Sequence, residues 1–116
     1  MALVRVTAPA RRDIDAALAQ SRGTFGEAAS RRYSALVRRA LRDLAEDPYR
    51  PGSRQRSDLG DGIRSYHLVH CRKRARTPDG IVHAPRHLLI YRMRDPETVA
   101  VLRLLHDAME PHRHLP

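Results

Sequence analysis

The spacing of apolar and polar positions predicts a strand followed by a helix at the start of the chain. Residues 2–7 (ALVRVT) are mainly apolar and β-branched, which is typical of a short strand. Thr7 and Pro9 then form a helix-start signal, because threonine caps free amides and proline fits the first turn. Helical spacing continues from there and predicts a first helix over about residues 9–22, ended by Gly23.

A second helix is predicted from about Glu27 to the residue before Pro48, because one apolar stripe runs through nearly five turns. The stripe consists of Ala29, Tyr33, Leu36, Val37, Ala40, Leu41 and Leu44. Only a few residues separate the two helices, so we expect an antiparallel two-helix hairpin. Several arginines lie off the stripe, where they either form a solvated face or meet an acidic partner: Arg31, Arg32, Arg38, Arg39 and Arg42.

The second half of the chain has the period of two that is typical of strands. Residues 47–61 are rich in Pro, Gly, Ser, Arg and Asp and are predicted to form a loop. Alternating stretches then predict three strands, at 62–69, 86–93 and 98–105, with a short turn at 95–97 that joins the last two as an antiparallel hairpin.

The element order predicts a small α+β fold: an N-terminal strand, the helix hairpin, a three-stranded antiparallel sheet that completes a small sheet, and a C-terminal tail at 106–116. The length predicts one domain over residues 1–116. A long basic connection at 71–85 interrupts the sheet, either as a new contact surface or as a disordered insertion.

Composition and charge indicate an acidic partner. The chain has 22 Lys+Arg against 13 Asp+Glu, a formal charge of +9, and Lys73 is its only lysine. Arginine suits bidentate contacts to phosphates and carboxylates, although an arginine-rich proteome would give the same bias. A simple nucleic-acid-binding module is disfavoured, since no base-reading motif occurs and aromatic residues are few. No stretch resembles a membrane span or a signal peptide, so we expect a cytoplasmic protein.

No cofactor and no metal site are predicted. One cysteine and several histidines surround the basic connection, but their spacing matches no standard zinc pattern. These residues are His67, His70, Cys71, His83 and His87. The alternative to accidental clustering is a zinc site, and Cys71 is expected to be an inert thiol at a strand end.

In its order and spacing of short motifs the chain resembles the ParE/RelE toxins, and the resemblance covers nearly its whole length. No single motif is strong. The matching segments are 9–14 (PARRDI), 25–33 (FGEAASRRY), 44–48 (LAEDP), 58–65 (DLGDGIRS), 86–92 (RHLLIYR) and 101–115 (VLRLLHDAMEPHRHL). The last of these, a leucine-rich strand that leads into a tail ending Arg-His-Leu, is the most similar to ParE.

The resemblance implies the toxin of a type II toxin–antitoxin system, which arrests growth and is neutralised by a cognate antitoxin, ParD-like or similar. ParE-type toxins are associated with DNA gyrase, whereas RelE-type toxins cleave messenger RNA on the ribosome. Arg86 matches a RelE-type arginine, but residues 107–109 lack the second arginine and the tail lacks a tyrosine. We therefore expect a binding toxin that inhibits gyrase rather than an enzyme. The alternative is a ribosome-dependent ribonuclease that uses Arg86, His106 and His114.

Two sets of contact residues follow by analogy with the family. For the target they are Arg64, Arg86, Arg92, Arg103, His106 and Arg113. For the antitoxin they are Ile14, Leu18, Tyr33, Leu36, Val37 and Arg38. The antitoxin is expected to bring an acidic amphipathic segment that folds on the helix hairpin, which makes the functional unit a hetero-oligomer.

Overall fold

A computed structural model describes residues 1–115 as a five-stranded sheet with two α-helices. The elements are β1 (Leu3–Val6), α1 (Ala8–Phe25), α2 (Glu27–Glu46), β2 (Ser53–Gln55), β3 (Ile63–His67), a 3-10 helix (Leu68–Arg74), β4 (His87–Asp95), β5 (Thr98–His106) and a short 3-10 turn (Pro111–Arg113). The predicted α+β class is confirmed, as are two helices and strands near all four predicted positions.

The first helix is longer than predicted. Thr7 does cap it, with its Oγ1 accepting a hydrogen bond from the Ala10 amide at 3.4 Å. The helix passes through Gly23, however, where the prediction ended it, and stops at Gly26. Gly26 has a φ of 96°, a conformation that glycine adopts without the strain of a side chain, so it alone separates α1 from α2.

The predicted three-stranded antiparallel sheet is too small. The strand order is β1-β5-β4-β3-β2, and β1 lies parallel to β5 while the other pairs are antiparallel, so the sheet is mixed. The added strand β2 lies inside the segment 47–61 that was predicted as a loop. It was missed because it is a three-residue edge strand of polar residues, without any alternation of apolar side chains.

Both faces of the sheet are covered. The main core contains Leu36, Ala40 and Leu44 of the predicted α2 stripe, packed with Leu89 and Val101 of the sheet. Successive strand residues point to opposite faces, so neighbours of these residues form a smaller second core. Its buried members are Ile63, Ile90 and Leu105, with Leu59, Leu88, Leu102 and Leu115 packed around them.

A buried carboxylate joins α2 to the segments around it. Asp43 has no exposed surface and accepts two hydrogen bonds of 2.7 Å from Arg74, one of 3.1 Å from Arg39 and one of 3.0 Å from the Tyr66 hydroxyl. Arg50 lies 3.6 Å away. Burial alone would raise the pKa of Asp43, but the hydrogen bonds from Arg74 and Tyr66 and the charge of Arg50 lower it below the usual range.

The basic connection at 71–85 is packed against the helices. Cys71 and Ala75 are buried in the main core, and Arg74 is held by Asp43. Farther along, Asp79 accepts a hydrogen bond of 2.8 Å from Arg31 of α2. The interpretation as a disordered insertion is therefore wrong, because buried side chains and ion pairs anchor the segment at several points.

The tail, predicted at 106–116, folds back over the second core. The carbonyl of His114 accepts a hydrogen bond of 2.7 Å from Arg103, and Leu115 packs on the second core. Pro116 lies outside the described residues. The end of the tail is thus attached to the sheet through the His114 carbonyl and the Leu115 side chain.

Candidate functional site

Histidines meet at one end of the sheet because three strands end or begin there. β3 ends at His67, β4 begins at His87, and β5 ends at His106, with His87 and His106 paired across the β4–β5 ladder. Tyr33 of α2 reaches the same place from the helix layer. Antiparallel order therefore brings together side chains from four elements of the fold.

Asp107 organises the polar side of this cluster. Its carboxylate accepts hydrogen bonds from the Arg86 Nε at 3.0 Å and 3.1 Å, and it lies 3.1 Å from the His67 Nε2. The His67 Nδ1 accepts from the Val69 amide, so Nε2 is the nitrogen that donates to Asp107. The hydrogen bonds from Arg86 and then His67 lower the pKa of Asp107 to about 2. Asp107 is therefore a carboxylate at neutral pH, and Arg86 is held beside it.

His87 forms the inner, neutral side of the cluster. Burial, and then the neighbouring His106, lower the pKa of His87 to about 4, so its imidazole is neutral at pH 7. Burial raises the pKa of Tyr33 well above its usual value, so the Tyr33 hydroxyl keeps its proton and donates it to the His87 Nδ1. The rings of His87 and His106 meet edge to face at 5.3 Å, and the His106 side chain is 37% exposed.

A cleft of about 490 Å³ opens above these rings, and we call it the histidine cleft. Its lining includes the polar residues Gln20, Ser21, Thr24, Arg32, Tyr33, His83, Arg86, His87 and His106. Its apolar lining comes mainly from α1 and from the segment before β4: Ala17, Phe25, Ala29, Ile81, Val82 and Ala84. The cleft therefore offers hydrogen-bonding groups and cations beside an apolar wall.

The neutral state of His87 should make the fold sensitive to mild acid. Its folded pKa of about 4 lies below the ordinary value of 6.5, so the unfolded chain binds the proton more readily. The stabilisation is fully present above pH 6.5 and is lost as the pH falls towards 4. We expect the melting temperature to drop over this window, and His87→Gln to flatten the drop. An equally steep drop in the His87→Gln variant would contradict this assignment, and His112→Gln in the exposed tail is the matched control.

A second concave surface lies along the two helices, and we call it the helix groove. It has a volume of about 190 Å³ and is lined by Val6, Arg11, Ile14, Asp15, Leu18, Ser34, Val37, Arg38 and Leu41. Half-buried Ile14, Leu18 and Leu41 supply apolar surface, while exposed Arg11 and Arg38 stand at its margins. The arrangement suits an amphipathic segment with acidic edges.

The structure divides the six residues predicted to contact the antitoxin. Ile14, Leu18 and Arg38 lie together in the helix groove with accessible surface. Leu36 is fully buried in the core, whereas Val37 is only 3% exposed but contributes to the lining of the helix groove. The stripe pattern by itself does not separate a core position such as Leu36 from a groove position such as Val37. Tyr33 lies in the histidine cleft instead.

The six residues predicted to contact the target do not form one patch. Arg86 and His106 share the histidine cleft. Arg92 lies on the sheet face of the second core, where it lines a groove of about 350 Å³ with Leu102 and Leu115. The remaining arginines have partners within the chain: Arg64 donates to Ser53 at 2.8 Å and lies over the Tyr49 ring, Arg103 pairs with Asp13 at 2.6 Å, and Arg113 pairs with Glu110 at 2.9 Å.

The five residues considered for a zinc site do not all meet in the structure. Cys71 is buried, and burial raises the pKa of its thiol to about 11. His70 packs on the Tyr66 ring, His67 and His87 belong to the histidine cluster, and His83 lines the histidine cleft. Within residues 1–115, no three His, Cys, Asp or Glu side chains are placed to hold a metal ion.

Two aspartates, which the sequence did not identify as site residues, form ion pairs with candidate residues. Asp107 faces Arg86, a pairing that the hairpin could have suggested, because the residue after β5 lies opposite the residue before β4. Asp13 binds Arg103 and also accepts from the Leu104 amide at 3.0 Å. That amide needs a partner because β1 ends at Val6, so β5 has no neighbouring strand beyond that point.

The fold and these surfaces define a small basic α+β protein with an apolar groove on its helices and a polar cleft at the end of its sheet. No helix within residues 1–115 has the length and hydropathy to cross a membrane. A family model for the ParE toxin of the type II toxin–antitoxin system parDE matches residues 4–111. The chain therefore belongs to the ParE toxin family, whose members act with a cognate antitoxin. A search of curated proteins found no match.

Proposed function

We propose that this protein arrests growth by inhibiting DNA gyrase and that its cognate antitoxin neutralises it by occupying the helix groove. The observation that carries the proposal is the family match over residues 4–111, which spans both the helix groove and the histidine cleft. The target and the binding surfaces are inferences that add to the family assignment.

The state of the histidine cleft favours binding over catalysis. A ribonuclease needs a cation free to hold phosphate and a group that gives up a proton near neutral pH. Arg86 is paired with Asp107 at 2.9 Å, so its charge is already compensated. His87 is neutral at pH 7, and the Tyr33 hydroxyl has a raised pKa, so neither is suited to give up a proton at that pH. The accessible imidazole of His106 is the acid–base candidate that remains, so the preference for a binding protein rests on the compensated charge of Arg86.

The target surface is proposed to lie on the sheet face that carries the tail. Arg92 is exposed there beside the apolar residues Leu102 and Leu115, and Arg113 extends from the tail with most of its side chain in solvent. An apolar groove flanked by arginine is typical of protein interfaces, in which arginine is enriched. Arg64 and Arg103 contribute by holding β2 and the tail in place through Ser53 and the His114 carbonyl.

The gyrase proposal is tested by titrating the purified protein into a supercoiling reaction with gyrase and relaxed plasmid. We expect supercoiling to be inhibited, and addition of the antitoxin to restore it. The Arg92→Gln/Arg113→Gln variant should inhibit less, whereas Arg5→Gln/Arg12→Gln removes the same charge from exposed positions elsewhere and should inhibit normally. Full supercoiling at every concentration of folded, antitoxin-binding protein would overturn the proposal.

Ribosome-dependent RNA cleavage is the second candidate, because the histidine cleft brings together two of its three predicted residues. Arg86 and His106 both line the cleft, and His106 is accessible. His114 is absent from the lining of this cleft, and its carbonyl is held by Arg103. If the protein is a ribosome-dependent ribonuclease, His106→Ala should abolish cleavage of messenger RNA on ribosomes while ribosome binding persists. The His112→Ala variant, which changes an exposed tail histidine, should cleave normally.

A further inference from the structure

Five arginines line one groove on the outer side of α2. The groove has a volume of about 290 Å³ and lies between α2 and the end of the 3-10 helix that follows β3. We call it the arginine groove, and its cations are Arg38, Arg39, Arg42, Arg74 and Arg76. The other lining residues are Ala35 and Ala75, so small side chains separate the guanidinium groups. It is distinct from the histidine cleft and from the sheet face proposed for gyrase.

The positive charge of this groove is only partly compensated. Asp43 lies buried beneath it and binds Arg39 and Arg74, and Glu46 lies 3.5 Å from Arg42 in an exposed pair. Two carboxylates thus face five guanidinium groups. Arg38 and Arg76 have no acidic partner within residues 1–115, and both are exposed. At least three positive charges therefore remain for a ligand.

Two of these arginines stand on one line along the helix. Arg38 and Arg42 are one turn apart, which places their backbone positions about 6 Å from each other along the axis. Arg76 faces them from the basic connection across Ala35 and Ala75. Because arginines lie on both walls of this shallow groove, with only alanine side chains between them, they can contact an elongated, negatively charged ligand from two sides.

We propose that the arginine groove binds the phosphate backbone of a nucleic-acid duplex, without reading its sequence. Guanidinium groups bind phosphate oxygens in a bidentate manner, and phosphate contacts give affinity without sequence information. The groove has no aromatic lining residue on which an unpaired base could stack, so we do not expect it to bind single strands more tightly than duplexes. An acidic amphipathic peptide also needs apolar surface. The helix groove provides it through Ile14 and Leu18, whereas the arginine groove has only two alanines.

The test measures binding of a labelled DNA duplex of arbitrary sequence by the full chain alone, at several salt concentrations. The variant is Arg42→Gln/Arg76→Gln, which leaves the helix groove intact, and the control is Arg54→Gln/Arg94→Gln, an equal loss of charge at exposed sites on β2 and β4. Each phosphate contact contributes about 0.9 to the slope of log affinity against log salt. The variant should therefore lose about two units of slope and bind about 100-fold more weakly at about 50 mM salt.

The possible outcomes separate the alternatives. Loss of slope and affinity in the variant but not in the control supports the groove, and parallel titrations with duplex RNA show whether both duplex forms bind. Equal losses in variant and control would mean that net charge alone binds DNA and would overturn the site. Preference for single strands, or binding of poly-glutamate but not of duplex, would overturn it as well. Since the assay contains no gyrase and no antitoxin, its result does not depend on the proposed toxin target.

Discussion

Replacing Asp43 with asparagine is expected to lower the free energy of unfolding by about 3 kcal/mol, the largest stability effect that we predict for one side chain. The carboxylate is fully buried and is shared by Arg39, Arg50 and Arg74, with the Tyr66 hydroxyl as a fourth partner. Asparagine keeps the shape but loses the charge, so three guanidinium groups are left without their anion. Urea unfolding at pH 7 measures the difference.

The matched control is Asp58→Asn, which removes an exposed carboxylate paired with Arg56 and should leave stability nearly unchanged. A second readout is acid. Because the pKa of Asp43 is lowered in the folded protein, the stabilisation from its charge is present above the ordinary aspartate pKa and is lost as the pH falls through the folded value. A loss of less than 1 kcal/mol for Asp43→Asn, or an unchanged acid transition, would contradict the role given to this network.

The elements with strong periodicity were predictable, and those without it were not. The stripe through α2 and the alternation in β4 and β5 place long elements within a few residues of their observed bounds. β2 has no such signal, since an edge strand of Ser, Arg and Gln buries almost nothing. The parallel pairing of β1 with β5 joins segments at opposite ends of the chain, and no local pattern encodes it.

The sequence predicts the types of residue at the candidate sites, but not which residues form ion pairs with each other. The excess of arginine indicated anionic partners, yet several of these arginines find their anions within the chain, as Arg103 does with Asp13 and Arg86 with Asp107. Such pairs depend on which strand ends meet, and that is a property of the tertiary fold. The stripe on α2 likewise could not separate buried Leu36 from the groove that includes Arg38.

Replacing Ile14 with glutamate should weaken antitoxin binding by about 100-fold, the largest effect on binding that we predict. Ile14 lies in the helix groove among apolar residues, where an acidic antitoxin segment is proposed to dock. A new carboxylate there costs desolvation and repels the acidic partner, and a loss of about 2.7 kcal/mol corresponds to the stated factor. Titration calorimetry of the purified toxin with its antitoxin measures the change.

Ala19→Glu on the same helix is the matched control, because Ala19 is exposed and does not line the groove. Ile14 also touches the main core, so a second variant guards against misfolding. Arg38→Glu changes an exposed side chain at the margin of the groove and should also weaken binding while leaving the melting temperature unchanged. Normal affinity in both folded groove variants would place the antitoxin elsewhere.

Growth after induction tests whether this chain is a toxin that an antitoxin neutralises by binding in the helix groove. Cells that express the chain alone should stop growing, and coexpression of the antitoxin should restore growth. Cells that express the Ile14→Glu toxin should remain arrested even with the antitoxin present. Normal growth of cells that express the folded wild-type chain alone, at a level detectable on a blot, would show that the chain is not a toxin.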